Sequence, residues 1–236
     1  AAAAHVIILV FSKDLGSAVI FFAGYLIMVF IATKNYFYLF AGILGGAGAS
    51  IVAYHMFSHV RTRVIAFLHP WSNINDSGYQ ITQSLFAIGT GGWFGLGIDQ
   101  GDPTSIPYVE QDFVFSAVAE EMGVIFGICL ILVCVSCFIV FMKIAMQLKE
   151  DFYRYIAVGI STIYIFQVFL TIGGGTRFIP LTGVTLPLVS YGGSSVLTTI
   201  IMFGIIQGLY CIQSQEGKRN VRKERRRTAD REAGEE

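Results

Sequence analysis

Charge is scarce in this sequence: Asp, Glu, Lys and Arg make up 14% of its 236 residues, where an ordinary soluble domain runs at about 25%. Proline is held to 5 residues and cysteine to 4. So little charge excludes a disordered, water-solvated chain, and so few cysteines exclude a disulfide-built secreted domain. The sequence has no P-loop, G-x-G-x-x-G, H-E-x-x-H or G-x-S-x-G, so no nucleotide cofactor is expected. It opens Ala1-Ala2-Ala3-Ala4-His5 without an initiator Met or a charged leader, which reads as a fragment without a signal peptide.

What fills the sequence is apolar. Hydrophobic residues reach 54%, with 20 Phe and 26 Gly, and the mean hydropathy is +0.65. This excludes a water-soluble enzyme and points to an all-α integral membrane protein, a polytopic helix bundle. A spanning helix needs about 20 mostly apolar residues. Five runs qualify, at 15–33, 36–57, 113–142, 155–176 and 189–215, the third interrupted only by Glu120 and Glu121. Residues 4–12 read as the tail of a further, partial helix.

The formal net charge is 0, yet eight of the 16 Lys and Arg fall within residues 218–236. A basic tail directly after an apolar span reads as a cytoplasmic end, and no nucleic-acid partner is expected. Alternation from that end places twelve basic residues inside and four (Lys13, Arg61, Arg63, Arg177) outside, in keeping with the positive-inside rule. The chain thus divides into a transmembrane domain, 1–217, and a charged cytoplasmic tail, 218–236. Cys134 and Cys137 form a C-x-x-C, but inside an uncharged run from 122 to 142 they read as buried thiols, not a metal site.

The topology leaves one large outer loop, 59–111, too long and too aromatic to be a mere connection. Within it, 81–88 reads as a short amphipathic helix. The glycine-rich 89–97 reads as turns that let backbone approach something closely. The loop is expected to be folded at the outer interface.

Asp112 stands where this loop meets the third span. A helix running through it places Asp112, Ser116, Ala119 and Gly123 on one face, with Glu120 beside them. Asp112 then reads either as a general base or cation ligand at the helix mouth, or as a residue that merely starts the helix. Glu120 and Glu121 lie about 12 Å deeper along the helix axis, where a carboxylate faces a cavity, pairs with a cation or serves as a hydrogen-bonding strut. The outer cations Lys13, Arg61, Arg63 and Arg177 suit a phosphate or pyrophosphate, or else snorkel to the interface. Residues 178–195 hold two Pro, three Gly among 183–193 and several hydroxyls in an uncharged run. Such broken backbone must be buried against protein or water, which suggests re-entrant structure lining a polar cavity.

Blocks distributed along the chain resemble the SEDS family (shape, elongation, division and sporulation), which includes FtsW, RodA and SpoVE. They are Asp14-Leu15-Gly16-Ser17-Ala18, then 63–71 ending in His69-Pro70-Trp71, then 78–85 with Gln83, and the glycine run 89–97. The most specific are Gln111-Asp112-Phe113-Val114-Phe115-Ser116 with Ala119-Glu120-Glu121-Met122-Gly123, and the block 183–195. The resemblance implies a ten-helix glycosyltransferase that polymerises lipid II, the undecaprenyl-pyrophosphate-linked disaccharide peptide, on the outer face of the cytoplasmic membrane. This chain corresponds to its second half, and the fragment alone is expected to be inactive.

By the same resemblance, Asp112 is the functional carboxylate that activates the acceptor sugar's 4-hydroxyl. Arg63, with Arg61 and Lys13, is expected to steady the pyrophosphate, and Gln83, Ser190 and Ser194 to contact substrate. A divalent cation (Mg or Mn) at Asp112 would do the same work as the guanidinium, and the sequence leaves the two open. The implied partners are a class B penicillin-binding protein and other divisome or elongasome membrane proteins. Lys13 and Arg177 depart from the family pattern, as does His69. The motif wording leans toward the FtsW/SpoVE side. A lipid II flippase and a non-catalytic divisome scaffold are the alternatives the same spans allow.

Overall fold

A computed structural model describes residues 14–74 and 76–232, with side chains through Gln215. The expected partial helix at 4–12 and Lys13 lie outside the described residues. Among the described residues the chain is all-α: α1 (Leu15–Thr33), α2 (Tyr36–Met56), α3 (Ser58–Leu68), α4 (Tyr79–Gly91), α5 (Val114–Gln147), α6 (Asp151–Gly175) and α7 (Gly193–Glu232). Five helices (α1, α2, α5, α6 and the Gly193–Gln215 part of α7) are long and apolar enough to cross a membrane, which makes this a multi-pass membrane protein.

Local sequence explains the helix ends. The Asp14 carboxylate accepts from Ser17 N at 3.0 Å and caps α1, while Lys34 closes it in the left-handed conformation. Asn35 then accepts from Phe37 N at 2.9 Å and starts α2, so two caps on adjacent residues make a tight hairpin. Asp151 in the first turn of α6 pairs with Arg154. Its charge also suits the positive helix end, so α6 starts earlier than the apolar run at 155 suggested. Conversely α7 starts at Gly193 and not at 189, because residues 187–189 fold as a turn.

Helix α6 is the centre of the bundle. It packs against α5 and against α1, and α4 packs against α5. Phe141, Tyr164 and Phe203 pin α5, α6 and α7 together, their ring centroids 4.9 to 5.8 Å apart. A smaller cluster of Ile81, Ala87, Ile106 and Phe113 roots the outer layer. By contrast α2 buries no residue and touches the bundle mainly along α1. Helix α7 passes through 217/218 without interruption, so the basic tail continues the span as helix.

The long run at 113–142 is one helix only in outline. At Gly123 the backbone turns to φ 84° and ψ 167°, and the ladder opens. The glycine-rich loop enters the gap. Leu96 N and Gly97 N donate to the Glu120 and Glu121 carbonyls at 2.9 Å each, and Val124 N and Ile125 N donate to Gly92 O and Trp93 O at 2.9 and 3.3 Å. The close backbone approach expected of 89–97 is thus to α5 itself. A side chain at 123 would sit 2.4 Å from the Trp93 carbonyl oxygen, so only glycine fits both the conformation and the space.

Candidate active site

Three segments meet at one end of the bundle: α3, the turn leading into α5, and the extended segment after α6. Arg63, on α3, donates from Nη1 to Thr182 O at 2.8 Å and Leu181 O at 3.3 Å. Asp112 precedes α5 in a turn, its backbone N–H bonded to Tyr108 O at 3.2 Å. Between them lies Gly183, at φ 77°. A methyl built on Gly183 would stand 3.4 Å from Arg63 Nη2 and 3.7 Å from Asp112 Oδ2. Burial pushes the Asp112 carboxyl above its ordinary range, and the Arg63 charge partly opposes that rise.

This corrects one expectation. Asp112 does not share a helix face with Ser116, Ala119 and Gly123, because α5 begins only at Val114 and Phe113 is its cap. The face of Ser116, Ala119 and Gly123 is buried. Ser84 on α4 donates its one hydroxyl proton to Gly175 O at 2.7 Å, so at the 2.6 Å contact between Ser84 and Ser116 it is Ser116 that donates. The pair joins α4, α5 and α6 beneath Asp112. Freed from the helix, Asp112 faces a cavity.

Two cavities flank the site. One of about 340 Å³ is lined by Arg63, Gln80, Tyr108, Asp112 and Leu181. The other, about 480 Å³, is lined by Gln111, Gln167, Thr185, Ser194 and Ser195. Adjacent residues of the same two strips of backbone, 111–112 and 181–185, line the two sides, so the strips form the wall between them.

The irregular wall is held by side chains. Gln167 Nε2 donates to Thr185 O at 3.0 Å and Thr171 Oγ1 to Val184 O at 2.9 Å. Thr185 Oγ1 donates to Ser195 Oγ at 2.7 Å. Ser190 Oγ accepts from Leu186 N at 2.8 Å and donates to Gln111 O at 2.5 Å, and Tyr191 N donates to Glu110 O at 2.7 Å. Part of 178–195 therefore lines a polar cavity, and the Val184 and Thr185 carbonyls and the Leu186 and Tyr191 N–H groups find partners inside the protein.

The residues singled out in sequence do not all converge. Ser194 lines the larger cavity, and Ser190 is 4% exposed with its hydroxyl directed to backbone beside Asp112. Gln83 lines neither cavity, whereas Gln80, one turn earlier, lines the smaller. Arg61 lies 5.8 Å over the Tyr54 ring and lines neither cavity, and Lys13 is outside the described residues. Arg177 donates to Phe67 O at 3.0 Å and Leu68 O at 3.4 Å; it neutralises the negative end of α3 and so props the helix that carries Arg63. The three described cations, Arg61, Arg63 and Arg177, therefore each have a separate partner.

Glu120 and Glu121 act as struts, their Oε1 atoms accepting from Asp102 N at 3.4 Å and Asp99 N at 3.3 Å. Among the described residues no group of three or more His, Cys, Asp or Glu is placed to hold a metal. Asp112 alone fits the mode in which Mg takes one carboxylate and completes its shell with substrate phosphates and water. Gln167 and Thr171, which anchor the wall, were not singled out in sequence. Their signal was there, as two polar side chains one turn apart inside an apolar span.

Residues 1–215 match the family model FtsW/RodA/SpoVE, described as cell cycle protein. Similar curated proteins include peptidoglycan glycosyltransferase RodA of Mycobacterium tuberculosis, 38% identical over 84% of this chain and 42% of that protein. The probable peptidoglycan glycosyltransferase FtsW of Francisella salina is 39% identical over 85% of this chain and 51% of its own length. Stage V sporulation protein E of Bacillus subtilis is 32% identical over 85% and 55%. The chain thus spans about half the length of the curated relatives it matches. A solved chain from a peptidoglycan synthase complex superposes with a TM-score of 0.72 at 25% identity, over 89% of this chain and 59% of that one. Identity does not separate the FtsW/SpoVE side from the RodA side.

Proposed function

Because the chain belongs to the FtsW/RodA/SpoVE family, we propose that it is the catalytic half of a peptidoglycan glycosyltransferase that polymerises lipid II, with Asp112 as general base. The observation that carries this reading is the carboxylate of Asp112 beside Arg63 across Gly183, at the wall between two cavities. A polymerase that joins two lipid-linked sugars needs two binding spaces and one base where they meet. The raised pKa of Asp112 suits it to take a proton near neutral pH better than an ordinary carboxylate would.

In this scheme Asp112 removes the proton of the acceptor's 4-hydroxyl as that oxygen bonds to the donor's anomeric carbon. The bond from that carbon to the pyrophosphate breaks, and the lipid pyrophosphate leaves with the electron pair. Arg63, braced on the Leu181 and Thr182 carbonyls, keeps a guanidinium N–H face for the leaving group's charge. A divalent cation (Mg or Mn) held by Asp112 and the pyrophosphate would add neutralising charge there. Arg61, Lys13, Gln83 and Ser194 remain proposed substrate contacts at the periphery, and Ser190 holds the wall.

We place the Asp112 end outside and the basic end of α7 in the cytoplasm, on the charge asymmetry of the sequence. The proposed partner is a class B penicillin-binding protein. An apolar groove of about 320 Å³ between α5 and α6, walled by Ile131, Val135, Ile165 and Phe169, opens on the bundle surface and suits its single membrane helix.

The test is glycan polymerisation from labelled lipid II by the full-length parent co-purified with its transpeptidase. Polymer from the parent and none from a folded Asp112→Asn variant supports the reading. Equal polymer from both removes Asp112 from the chemistry. Transport of lipid II in liposomes without any polymer would move the protein to the flippase class.

A further inference from the structure

At the end of the bundle opposite Asp112, α5 and α7 part around a cavity of about 590 Å³. Its rim is polar, with Lys143 and Gln147 from α5 and Gln207, Tyr210, Gln213 and Ser214 from α7, and Val140 and Ile144 are its apolar floor. Gln213 Nε2 donates to Gln147 Oε1 at 2.9 Å, which fixes the amide and leaves Gln213 Oε1 buried without a donor. Lys143 lines the cavity, and among the described residues the only ion pair is Arg154 with Asp151, so Lys143 has no carboxylate partner among them. Helix α7 then runs on unbroken to Glu232, which places Lys218, Arg219, Arg222 and Lys223 in the turns directly beyond this cavity.

A ligand for such a site must bring a negative charge to Lys143, a hydroxyl donor to Gln213 Oε1, and an apolar portion for Val140 and Ile144. We propose that the cavity binds the headgroup of an anionic, hydroxyl-bearing phospholipid of the phosphatidylglycerol type from the inner leaflet, at the end of the α7 span from which the basic tail continues. The phosphodiester meets Lys143, a glycerol hydroxyl donates to Gln213, and the first acyl carbons follow the apolar floor. A choline headgroup offers no such donor and carries a cation where Lys143 already stands. The bare tail helix alone would collect any anionic lipid through its charge; the unpaired amide oxygen is what adds preference for a hydroxylated headgroup, since a buried acceptor left unpaired is costly.

Native mass spectrometry of the detergent-solubilised full-length parent tests this, with dioleoylphosphatidylglycerol and dioleoylphosphatidylcholine added at equal concentration. The expected result is preferential retention of phosphatidylglycerol by the parent. Lys143→Gln should weaken that preference about fivefold, the factor one cation contributes at an anionic surface. Gln213→Glu, which sets a negative charge against the lipid phosphate and removes the donor to Gln147 Oε1, should weaken it further. A parent without lipid preference, or a preference unmoved by both variants, overturns the proposal. A preference lost only when Lys218, Arg219, Arg222 and Lys223 are changed to Gln assigns the binding to the tail and likewise removes the cavity from it.

Discussion

Arg63 and Asp112 converge on the same hydrogen of Gly183, 3.4 Å (Nη2) and 3.7 Å (Oδ2) from the point where a methyl would stand. The guanidinium is anchored by the Leu181 and Thr182 carbonyls, so it is a fixed charge beside the carboxyl and not a mobile surface arginine. Asp112 feels two opposed effects, burial raising its pKa and Arg63 lowering it, with burial the larger. A base held partly out of water and restrained by a neighbouring cation is sensitive to either being changed.

Asp112→Asn keeps the shape and removes the base. Polymerisation by the full-length parent with its transpeptidase should fall by about 10²- to 10⁴-fold, the range of a general base, while complex formation on a sizing column is unchanged. In the parent enzyme the active form is the carboxylate. Because its pKa is raised, activity should fall on acidification at a pH above the ordinary Asp value of about 3.9. An acid limb at or below that value would show the base to be another group.

Arg63→Gln separates charge from shape. Removing the cation takes away the influence that lowers the Asp112 pKa, so the acid limb of the pH–rate profile should move to higher pH. The maximal rate should also drop, on the order of 10²-fold, as for loss of one electrostatic donor at a developing charge. A lower rate with an unmoved limb would mean that Arg63 serves the leaving group without touching the base.

Gly183→Ala asks whether the wall tolerates a side chain. At φ 77° an L-residue is strained, by roughly 1–2 kcal/mol in the left-handed region, and its methyl would fill the gap between Arg63 and Asp112 at van der Waals distance. The melting temperature should fall by a few degrees and polymer yield much further, since the methyl takes the space between Arg63 and Asp112 that the reacting groups need. Equal losses in stability and activity would reduce the glycine to a structural role.

The spans were legible because lipid imposes a simple rule of about 20 apolar residues, and the runs at 15–33 and 36–57 became α1 and α2 almost to the residue. The break at Gly123 was not, since nothing in an apolar run reveals that a distant loop donates to its carbonyls; only the unusual density of glycine at 89–97 pointed to a close approach. Asp112 was legible as a residue but not as a geometry. Continuing the helix through it was reasonable by periodicity, yet Tyr108 O captures its N–H and the helix starts two residues later. Arg63 and Arg177 look alike in sequence as outer cations. Their partners, a strip of wall for one and the end of α3 for the other, are set by tertiary contacts more than 100 residues apart in sequence.

Ser190 and Ser194 lie four residues apart in the same outer block, and should respond differently to loss of their hydroxyls. Ser190 is buried and bridges Leu186 N to Gln111 O; Ser190→Ala leaves the buried Leu186 N–H without this acceptor, a cost of about 1–3 kcal/mol. It also releases the residue preceding Asp112. Its signature is a lower melting temperature with a lower kcat, because the base is misplaced while the substrate cavities persist. Ser194 is exposed on the larger cavity, so Ser194→Ala should leave the melting temperature unchanged and raise KM alone. Steady-state polymerisation and thermal unfolding of the two variants decide it. A Ser190→Ala enzyme with parental stability and a raised KM would show its hydroxyl to be a substrate contact after all, and the Gln111 tether to be dispensable.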